Sequence, residues 1–575
     1  MGLLDFLRLS DWSVTSLIVF VPLIGMLLAL VGERLVGERL AKWGVFAWSL
    51  IPLGLVLFVW LGGLFDPSAL STANDQVLIQ QVDRLQWINF LNVQYFVGLD
   101  GVNFPLVLLT VIVTPVAILA AFRVQERRQV YLALILLLES AMLGYFVSLN
   151  FFLLFVFWEF SLVPMFFIIN NWGGENRRYA AFKFFVYTMA GSVGMLLIFE
   201  FLYLATGTFD LTVLARLGQG LPVDPALVKP VIGSAIYDPN AGTTLQALVF
   251  SAVESTGLTR LIGGGAPFYG ALVFWCIFIA FAVKLAVWPL HTWLPDAYSQ
   301  APASGSMLIA GVMSKMGAYG MLRLMMPLFP QQTRYFAPAL AVLALASILF
   351  GAYAGLAQTD LKRLIGYASI NHMGYVMLGI AAAAAAAPAD FIAAGADAVG
   401  IRASALNGVQ MQMVAHGFST AALFFLAGQL HDRTGTYQLD QFGGLRKVMP
   451  VFAGVMGVAM FANLGLPGLA GFVGEFFIFR GAWGTQPLIT GIAVLGLIVS
   501  ALMLLRMYQK IFYGPTNKRW EGLPDMQVGG WEFNVTLPLL ALLVVFGVYP
   551  RPLMDLANTA ATVMAQFFNT LTLGG

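Results

Sequence analysis

The chain has 575 residues, of which 59% are hydrophobic and only 10% are charged, and its mean hydropathy is +0.84. Soluble domains carry about 25% charged residues, so this composition excludes a soluble globular protein and indicates a membrane protein with many spans. The net charge of +2 gives no reason to expect a nucleic-acid partner, and the single cysteine, Cys276, excludes a disulfide framework, a thiolate-ligated iron–sulfur cluster and a CxxC redox pair.

Apolar runs long enough to cross a bilayer recur along the whole chain. A spanning helix needs about 20 mostly apolar residues, and continuous runs such as these argue against an alternating β-barrel. The first run begins at Val14 without a strongly basic leader or a small-residue cleavage site, so we interpret it as a retained helix and not as a signal peptide. Fourteen spans are predicted, at 14–33, 43–64, 103–122, 130–148, 150–170, 180–205, 270–290, 303–328, 336–356, 361–382, 409–430, 449–479, 488–512 and 533–549.

Lysine and arginine residues are divided unevenly between the loops on the two sides of the predicted bundle. Of 30 such residues, 17 fall in one set of loops and 9 in the other set, which includes both termini. The positive-inside rule therefore places the first set in the cytoplasm and both termini outside. Three longer stretches, at about 65–102, 206–269 and 383–408, then lie outside the cell. Within the second, Leu245–Val253 is predicted as a short helix.

Two ionisable residues lie deep in apolar segments of the first half of the chain. Lys284 is the only charged residue between Phe274 and Leu290, and a lone ammonium at membrane depth costs about 2.5–3.5 kcal/mol on insertion scales. Glu159 is flanked by aromatic residues and needs a cationic partner or a proton. We expect the two to pair, so that an ammonium whose partner can move away carries a proton between two states. The plainer alternatives are a structural hydrogen bond for Glu159 and snorkelling for Lys284.

Two segments are predicted to be interrupted helices. Pro289 and Pro295 follow Lys284 closely, and proline removes a backbone donor and clashes with the preceding turn. A glycine- and proline-rich run from Asn463 to Glu475 forms the second. Helix breaks inside membranes are tolerated where the backbone lines a hydrated cavity. Corresponding breaks in two halves of a chain are typical of inverted repeats in transporters, and each break here carries an ionisable residue.

Four further ionisable residues fall inside predicted spans: Lys315, His372, His416 and Glu139. Histidine titrates near pH 6.5, which suits a relay that accepts and releases protons, although a buried histidine is as readily a satisfied core residue. Glu139 is equally compatible with a relay and with helix pairing. No His-x-x-x-His or Glu-x-x-His spacing joins these residues, so no metal site is predicted.

Four motifs together carry a resemblance to a known family. They are FWEFSLVPM at 157–165, AVKLAVWPLHTWLPDA at 282–297, LKRLIGYASINHMGY at 361–375 and GFVGEF at 471–476. These motifs, in this order, resemble the antiporter-like subunits of respiratory complex I over about 100–515. In the second broken helix the N and L types and the Mrp antiporters have lysine, whereas Glu475 resembles the M type.

The resemblance implies an all-α polytopic fold of about fourteen transmembrane helices with two inverted five-helix repeats, each containing a broken helix. We expect helices 1–3 and their loop to occupy residues 1–129. The first repeat, with helices 4–8 and the extracytoplasmic loop 206–269, would occupy 130–328, and the second repeat, with helices 9–13, would occupy 329–515. The last helix and the tail would occupy 516–575. It also implies a Glu159–Lys284 pair in the first half-channel. Lys315, His372 and His416 would form a central axis, and Glu475 the exit-side group.

The function that the resemblance implies is outward proton movement in the bacterial inner membrane, driven by redox chemistry in other subunits of an NADH:quinone oxidoreductase. FMN, iron–sulfur clusters and quinone are expected in partner subunits and no cofactor in this chain. The expected partners are antiporter-like L and N subunits on either side and the lipid bilayer, but no nucleic acid. The alternatives are an Mrp-type sodium/proton antiporter subunit, a subunit of a ferredoxin-linked or hydrogenase-type relative, and a purely structural membrane scaffold.

Overall fold

The computed structural model describes residues 13–70, 78–233, 237–239, 243–257, 259, 263–388 and 397–571. Arg8 and Arg260, counted above on the outer side, and parts of the three predicted outer loops lie outside these ranges. The described chain is mostly helical. Its α-helices are α1 (Val14–Val36), α2 (Glu38–Leu61), α3 (Phe104–Ala120), α4 (Arg128–Val147), α5 (Phe151–Phe160), α6 (Leu162–Trp172), α7 (Arg177–Thr206), α8 (Leu211–Gly218), α9 (Leu245–Ser255), α10 (Ala266–Leu285), α11 (Leu294–Gln300), α12 (Ala303–Leu308), α13 (Ser314–Gly320), α14 (Met326–Leu328), α15 (Pro330–Leu356), α16 (Leu361–Ala384), α17 (Ala398–Thr434), α18 (Pro450–Leu464), α19 (Ala470–Thr485), α20 (Pro487–Phe512), α21 (Trp531–Val548) and α22 (Arg551–Thr570).

Shorter elements join these helices. The 3₁₀ turns are Asn89–Leu91, Ala121–Arg123, Pro225–Leu227, Leu439–Gln441, Leu445–Lys447 and Lys518–Trp520. Two π-helical turns, Ile309–Met313 and Met321–Met325, connect α12, α13 and α14 without a break. The prediction of an all-α fold was wrong in one detail, because the outer stretch 65–102 contains a two-stranded antiparallel hairpin of β1 (Gln80–Ile88) and β2 (Val93–Leu99). Asn92, at φ 51°, takes the left-handed conformation that the hairpin's turn requires.

Eleven helical segments of the described residues are long and apolar enough to cross a membrane, and each corresponds to a predicted span. The other three predicted spans are irregular or more polar: 303–328 contains both π turns, 361–382 is the 24-residue helix α16, and 449–479 is divided into α18 and α19. The protein is therefore a multi-pass helical membrane protein. The total of fourteen spans stays a prediction.

Both predicted helix breaks are confirmed. Helix α10 ends at Leu285, where Ala286 takes a positive φ of 62°, and the chain turns before α11 begins at Leu294. The second break separates α18 from α19, and Gly465 there has a φ of 81°. Glycine is required at this position for a second reason, since a side chain would collide with the carboxylate of Glu475. Each break thus lies beside an ionisable side chain, Lys284 at the first and Glu475 at the second.

Helix α17 lies at the centre of the fold and is almost completely buried over its 37 residues. It packs on α16, α18, α19, α21 and α22. Gly408 lets the backbone of α19 approach closely, because a Cβ there would strike the main chain at Ile478. This close approach places the polar residues of α17 against the broken second half of the bundle.

One boundary prediction was wrong, and one short helix was confirmed. Residues 398–408 were assigned to an outer loop, but α17 begins at Ala398, where the side chain of Asp397 caps the helix by accepting from Gly400 N. The alanine-rich sequence there favours helix, and Arg402 is buried within it. The C-terminal tail forms the amphipathic helix α22. The short helix predicted at Leu245–Val253 is present as α9.

Candidate functional site

Lys284 is the buried cation of the first half of the bundle. It lies in the last turn of α10, and only 2% of it is exposed. Its ammonium donates a hydrogen bond to Ser161 Oγ at 3.1 Å and lies 4.6 Å from the centre of the Trp158 ring. A hydroxyl and an aromatic face stabilise an ammonium without neutralising it. Lys284 therefore has neutral neighbours, and none of the ion pairs among the described residues includes it.

Glu159, the predicted partner of Lys284, lies close but not in contact. None of the ion pairs among the described residues joins the two side chains, although each acts electrostatically on the other. The direct pair expected from the sequence is therefore not formed. Helix α5 ends at Phe160, and the turn there points Ser161 at the ammonium. Glu159 stays half-buried beside it, with one oxygen that lacks a hydrogen-bond partner within the described chain.

Lys315 is fully buried at the start of α13, directly after the first π turn. Its Nζ donates to the carbonyl oxygen of Ala310 and to Ser314 Oγ at 3.1 Å. A π turn offsets the hydrogen-bond ladder and leaves carbonyl oxygens available to side chains, and such turns are frequent at functional sites. The third neighbour of the ammonium is His416 Nδ1, at 2.7 Å. Of the two histidines expected to share a central axis with Lys315, His416 is the one that Lys315 contacts.

His416 and His372 continue the network from Lys315. Both rings are buried, and their centres are 5.5 Å apart, so they face each other across α17 and α16 without a direct hydrogen bond. His372 Nε2 bonds Asn463 Oδ1 at 3.0 Å, and Asn463 in turn donates to Ser419 Oγ at 3.0 Å. The asparagine lies at the end of α18, so the second helix break fixes the orientation of the His372 ring.

Glu475 closes the network at the second broken helix. Its Oε1 lies 3.2 Å from His372 Nδ1 and 3.4 Å from Gln412 Nε2. The other oxygen packs against Gly465 in the break itself. Four predicted site residues (Lys315, His416, His372 and Glu475) therefore lie in a row from the middle of the bundle to the second break, with direct contacts at both ends and a gap between the two histidine rings.

Glu139 stands apart from these groups. It is completely buried in α4, and neither carboxylate oxygen has a hydrogen-bond partner among the residues that the structure describes. A carboxyl group in such a place is stable only in its neutral form, because burying an unpaired charge is very costly. The structure therefore does not bring Glu139 into contact with Lys284 or Lys315.

The sequence reasoning missed the neutral polar residues that hold the ionisable ones. Ser161 and Trp158 surround Lys284, while Gln412 and Asn463 surround His372 and Glu475. A signal for Gln412 was available, since it lies four residues before His416 and so shares its helix face. Neutral residues are less conspicuous in an apolar sequence than charged ones, and their partners become visible only once the helices are packed.

Broken helices and a row of buried ionisable side chains in a multi-pass bundle define a membrane protein of the ion- or proton-translocating class. The family described as NADH:quinone oxidoreductase/Mrp antiporter, transmembrane, matches residues 148–228 and 247–502. The chain belongs to this family.

Individual relatives match nearly the whole chain. NADH-quinone oxidoreductase subunit M of Rhodobacter capsulatus is 34% identical over 563 residues, 97% of both chains. F(420)H(2) dehydrogenase subunit M of Methanosarcina mazei is 35% identical over 94% of this chain and 96% of its own length. A chain of the respiratory complex I of Thermus thermophilus aligns over 98% of this chain and 100% of its own, with a TM-score of 0.74 and 26% identity.

Proposed function

We propose that this chain is the M-type antiporter-like subunit of a bacterial respiratory complex I and moves protons outward across the inner membrane. The observation that carries the proposal is the buried series from Lys315 through His416 and His372 to Glu475, with contacts of 2.7 Å and 3.2 Å at its two ends. The family match and the similarity to subunit M relatives support the proposal. The redox chemistry that drives it, with FMN, iron–sulfur clusters and quinone, belongs to partner subunits.

The chain's own residues supply proton-binding sites in sequence. A proton leaving Lys315 Nζ can pass directly to His416 Nδ1, and one leaving His372 Nδ1 can pass directly to Glu475. Between the two rings a bridging water is required, because their centres are 5.5 Å apart. Lys284 acts upstream: when Glu159 approaches it the ammonium is stabilised, and when Glu159 withdraws the proton is released toward Lys315.

The finer architecture belongs to the same proposal. The fourteen spans would include two inverted repeats at 130–328 and 329–515, between helices 1–3 at 1–129 and the last helix and tail at 516–575. Both termini would lie outside, since the lysine- and arginine-rich loops lie on the opposite side. L- and N-type subunits would flank the chain in the membrane.

Purification of a tagged chain in mild detergent tests the assembly. We expect it to bring down a complex that contains flavin and iron–sulfur clusters and oxidises NADH with quinone. Because one relative is a subunit of an F(420)H(2) dehydrogenase, reduced F420 should be offered in parallel. Recovery of the chain alone or with small membrane partners would contradict the proposal.

The Mrp-type alternative makes a different prediction. A sodium/proton antiporter subunit would exchange sodium for protons in vesicles without any electron donor. The second broken helix carries Glu475 where a lysine would be expected, which argues against an Mrp-type antiporter subunit. Proton uptake that depends on sodium and continues without NADH would establish it.

A further inference from the structure

Asn463 connects the second helix break to the relay. It lies in the last turn of α18, two residues before Gly465, and only 3% of it is exposed. Its Oδ1 lies 3.0 Å from His372 Nε2, and its Nδ2 donates to Ser419 Oγ at 3.0 Å. The amide therefore lies between α16 and α17, and each of its two ends has a partner inside the protein.

The hydroxyl of Ser419 determines which way this amide points. A serine carries one hydroxyl proton, and Ser419 Oγ donates it to the carbonyl oxygen of His416, one turn back along α17, at 3.3 Å. The serine oxygen can then only accept, so the amide nitrogen of Asn463 must face it. The amide oxygen consequently faces His372 Nε2, and a carbonyl oxygen can only accept a hydrogen bond. The Nε2 atom of His372 therefore carries a proton.

The other ring nitrogen, Nδ1, is therefore the atom at which His372 gains or loses a proton. A neutral histidine has a proton on one nitrogen and a lone pair on the other, and a hydrogen bond at one nitrogen decides which. Nδ1 accepts from Gln412 Nε2 at 3.4 Å and lies 3.2 Å from Glu475 Oε1. The contact with Glu475 requires a proton between the two atoms, because a lone pair and a carboxylate repel each other. His372 and Glu475 therefore share one proton.

His372 faces titratable groups on its own helix and on two others. Glu475 of α19 contacts Nδ1, the ring of His416 on α17 is centred 5.5 Å from the His372 ring, and that of Tyr375 on α16 is centred 5.8 Å away. Lys315 of α13 lies beyond His416, at 2.7 Å from it. The partner that the structure gives Nε2 is the uncharged asparagine, so its substitution alters the Nε2 contact and leaves these charges in place.

We propose that Asn463 is a positioning residue, oriented by Ser419, that keeps a proton on His372 Nε2 and restricts proton exchange to Nδ1. The shared proton then moves between Glu475 Oε1 and His372 Nδ1, and its loss leaves an ionised carboxylate facing a lone pair. That state is unfavourable, so the pair holds its proton. Without the amide, the ring could carry its proton on Nδ1 instead and stabilise the ionised carboxylate directly. The inference rests on the proposed proton translocation and specifies how a proton is held at the second break.

Replacement of Asn463 in the assembled complex tests this role through the pH dependence of pumping. Protons pumped per NADH oxidised are measured in inverted vesicles at a series of pH values, so that the effect of pH on NADH oxidation itself cancels. In Asn463→Leu the ring is free to carry its proton on Nδ1, which stabilises the ionised carboxylate, and the pair then loses its proton at a lower pH. We expect the alkaline fall in pumping to move to lower pH by about one unit, as the loss of one hydrogen bond implies.

Two further substitutions give the expected shift a direction. Asn463→Asp places a negatively charged acceptor beside Nε2, which stabilises protonated His372, so the alkaline fall should move to higher pH. Ser419→Ala keeps the asparagine but removes the hydroxyl that orients its amide, and we expect a smaller shift in the same direction as for Asn463→Leu. The matched controls are Ser404→Ala, which loses a bond to a carbonyl of α19, and Asn407→Leu, which loses a bond to α22. Both should keep the pH profile of the unchanged protein.

A merely structural role for the asparagine predicts weaker pumping at every pH with the alkaline limb in its original place. Asn463→Leu and Asn463→Asp variants that keep the original profile, or that shift it in the same direction, would therefore overturn the inference. If Asn463→Leu does not assemble, an unshifted profile in Ser419→Ala overturns it equally. Normal pumping by Lys284→Met would instead contradict the proposed translocation by this chain, and the inference would fail with it.

Discussion

The two halves of the relay differ in how their charges are held. In the first half, Lys284 binds a serine and an aromatic ring, and its carboxylate neighbour Glu159 stands clear of it. In the second half, Glu475 is bound by His372 and Gln412 in one connected network. The ionisable groups Lys284 and Glu159 are thus separated in the first half, whereas His372 and Glu475 are in contact in the second half. The proposed proton transfer would use both arrangements within one chain.

The sparse first half should be the more sensitive to substitution. Glu159→Gln removes the carboxylate that can approach Lys284, and we expect NADH-driven pumping to fall by about 100-fold, within the range for loss of a proton-transfer group. Vesicle acidification, normalised to assembled complex, measures it. Glu200→Gln, at an exposed carboxylate of α7, is the matched control. Pumping that stays within twofold of the unchanged protein would show that the separated pair has no role.

Substitutions in the connected second half of the relay should reduce pumping less than substitutions in the first half. Glu475→Gln keeps the shape of the side chain but weakens its contact with His372; a hydrogen bond is worth about 0.5–1.5 kcal/mol net, so we expect a loss of pumping of at most about tenfold. The same acidification assay measures it. A loss equal to or larger than that of Glu159→Gln would reverse the proposed ranking of the two halves.

The sequence predicted the ionisable residues of both halves but not their contacts. Lys284 and Glu475 were conspicuous because charge in an apolar run is costly, and both helix breaks followed from proline and glycine. The sequence could not show that Ser161, not Glu159, would meet the lysine, since that depends on the turn after Phe160. The isolation of Glu139 was equally hidden, because an unpartnered carboxyl and a paired one look the same in a sequence.

Substitution of Gln412 measures how much the second half of the relay depends on its uncharged polar side chains. Gln412→Leu removes two long contacts, at 3.4 Å each, to His372 and Glu475, and we expect pumping to fall by about threefold, as the modest net worth of such bonds implies. Gln410→Leu loses a comparable bond to the Val102 carbonyl away from the relay and serves as the control. Equal effects of the two substitutions would mean that Gln412 only supports packing.

The smallest effect is expected at Glu139. Its carboxyl lacks a hydrogen-bond partner among the described residues and lies outside both halves of the relay, so Glu139→Gln replaces one neutral polar group by another of nearly the same shape. We expect pumping to change by less than about twofold, since a swap that leaves the transfer groups in place costs little. The measurement is the acidification assay at matched assembly, with Glu159→Gln as the positive control. A loss approaching that of Glu159→Gln would place Glu139 in the relay after all, and would require a movement of α4 that brings it to a partner.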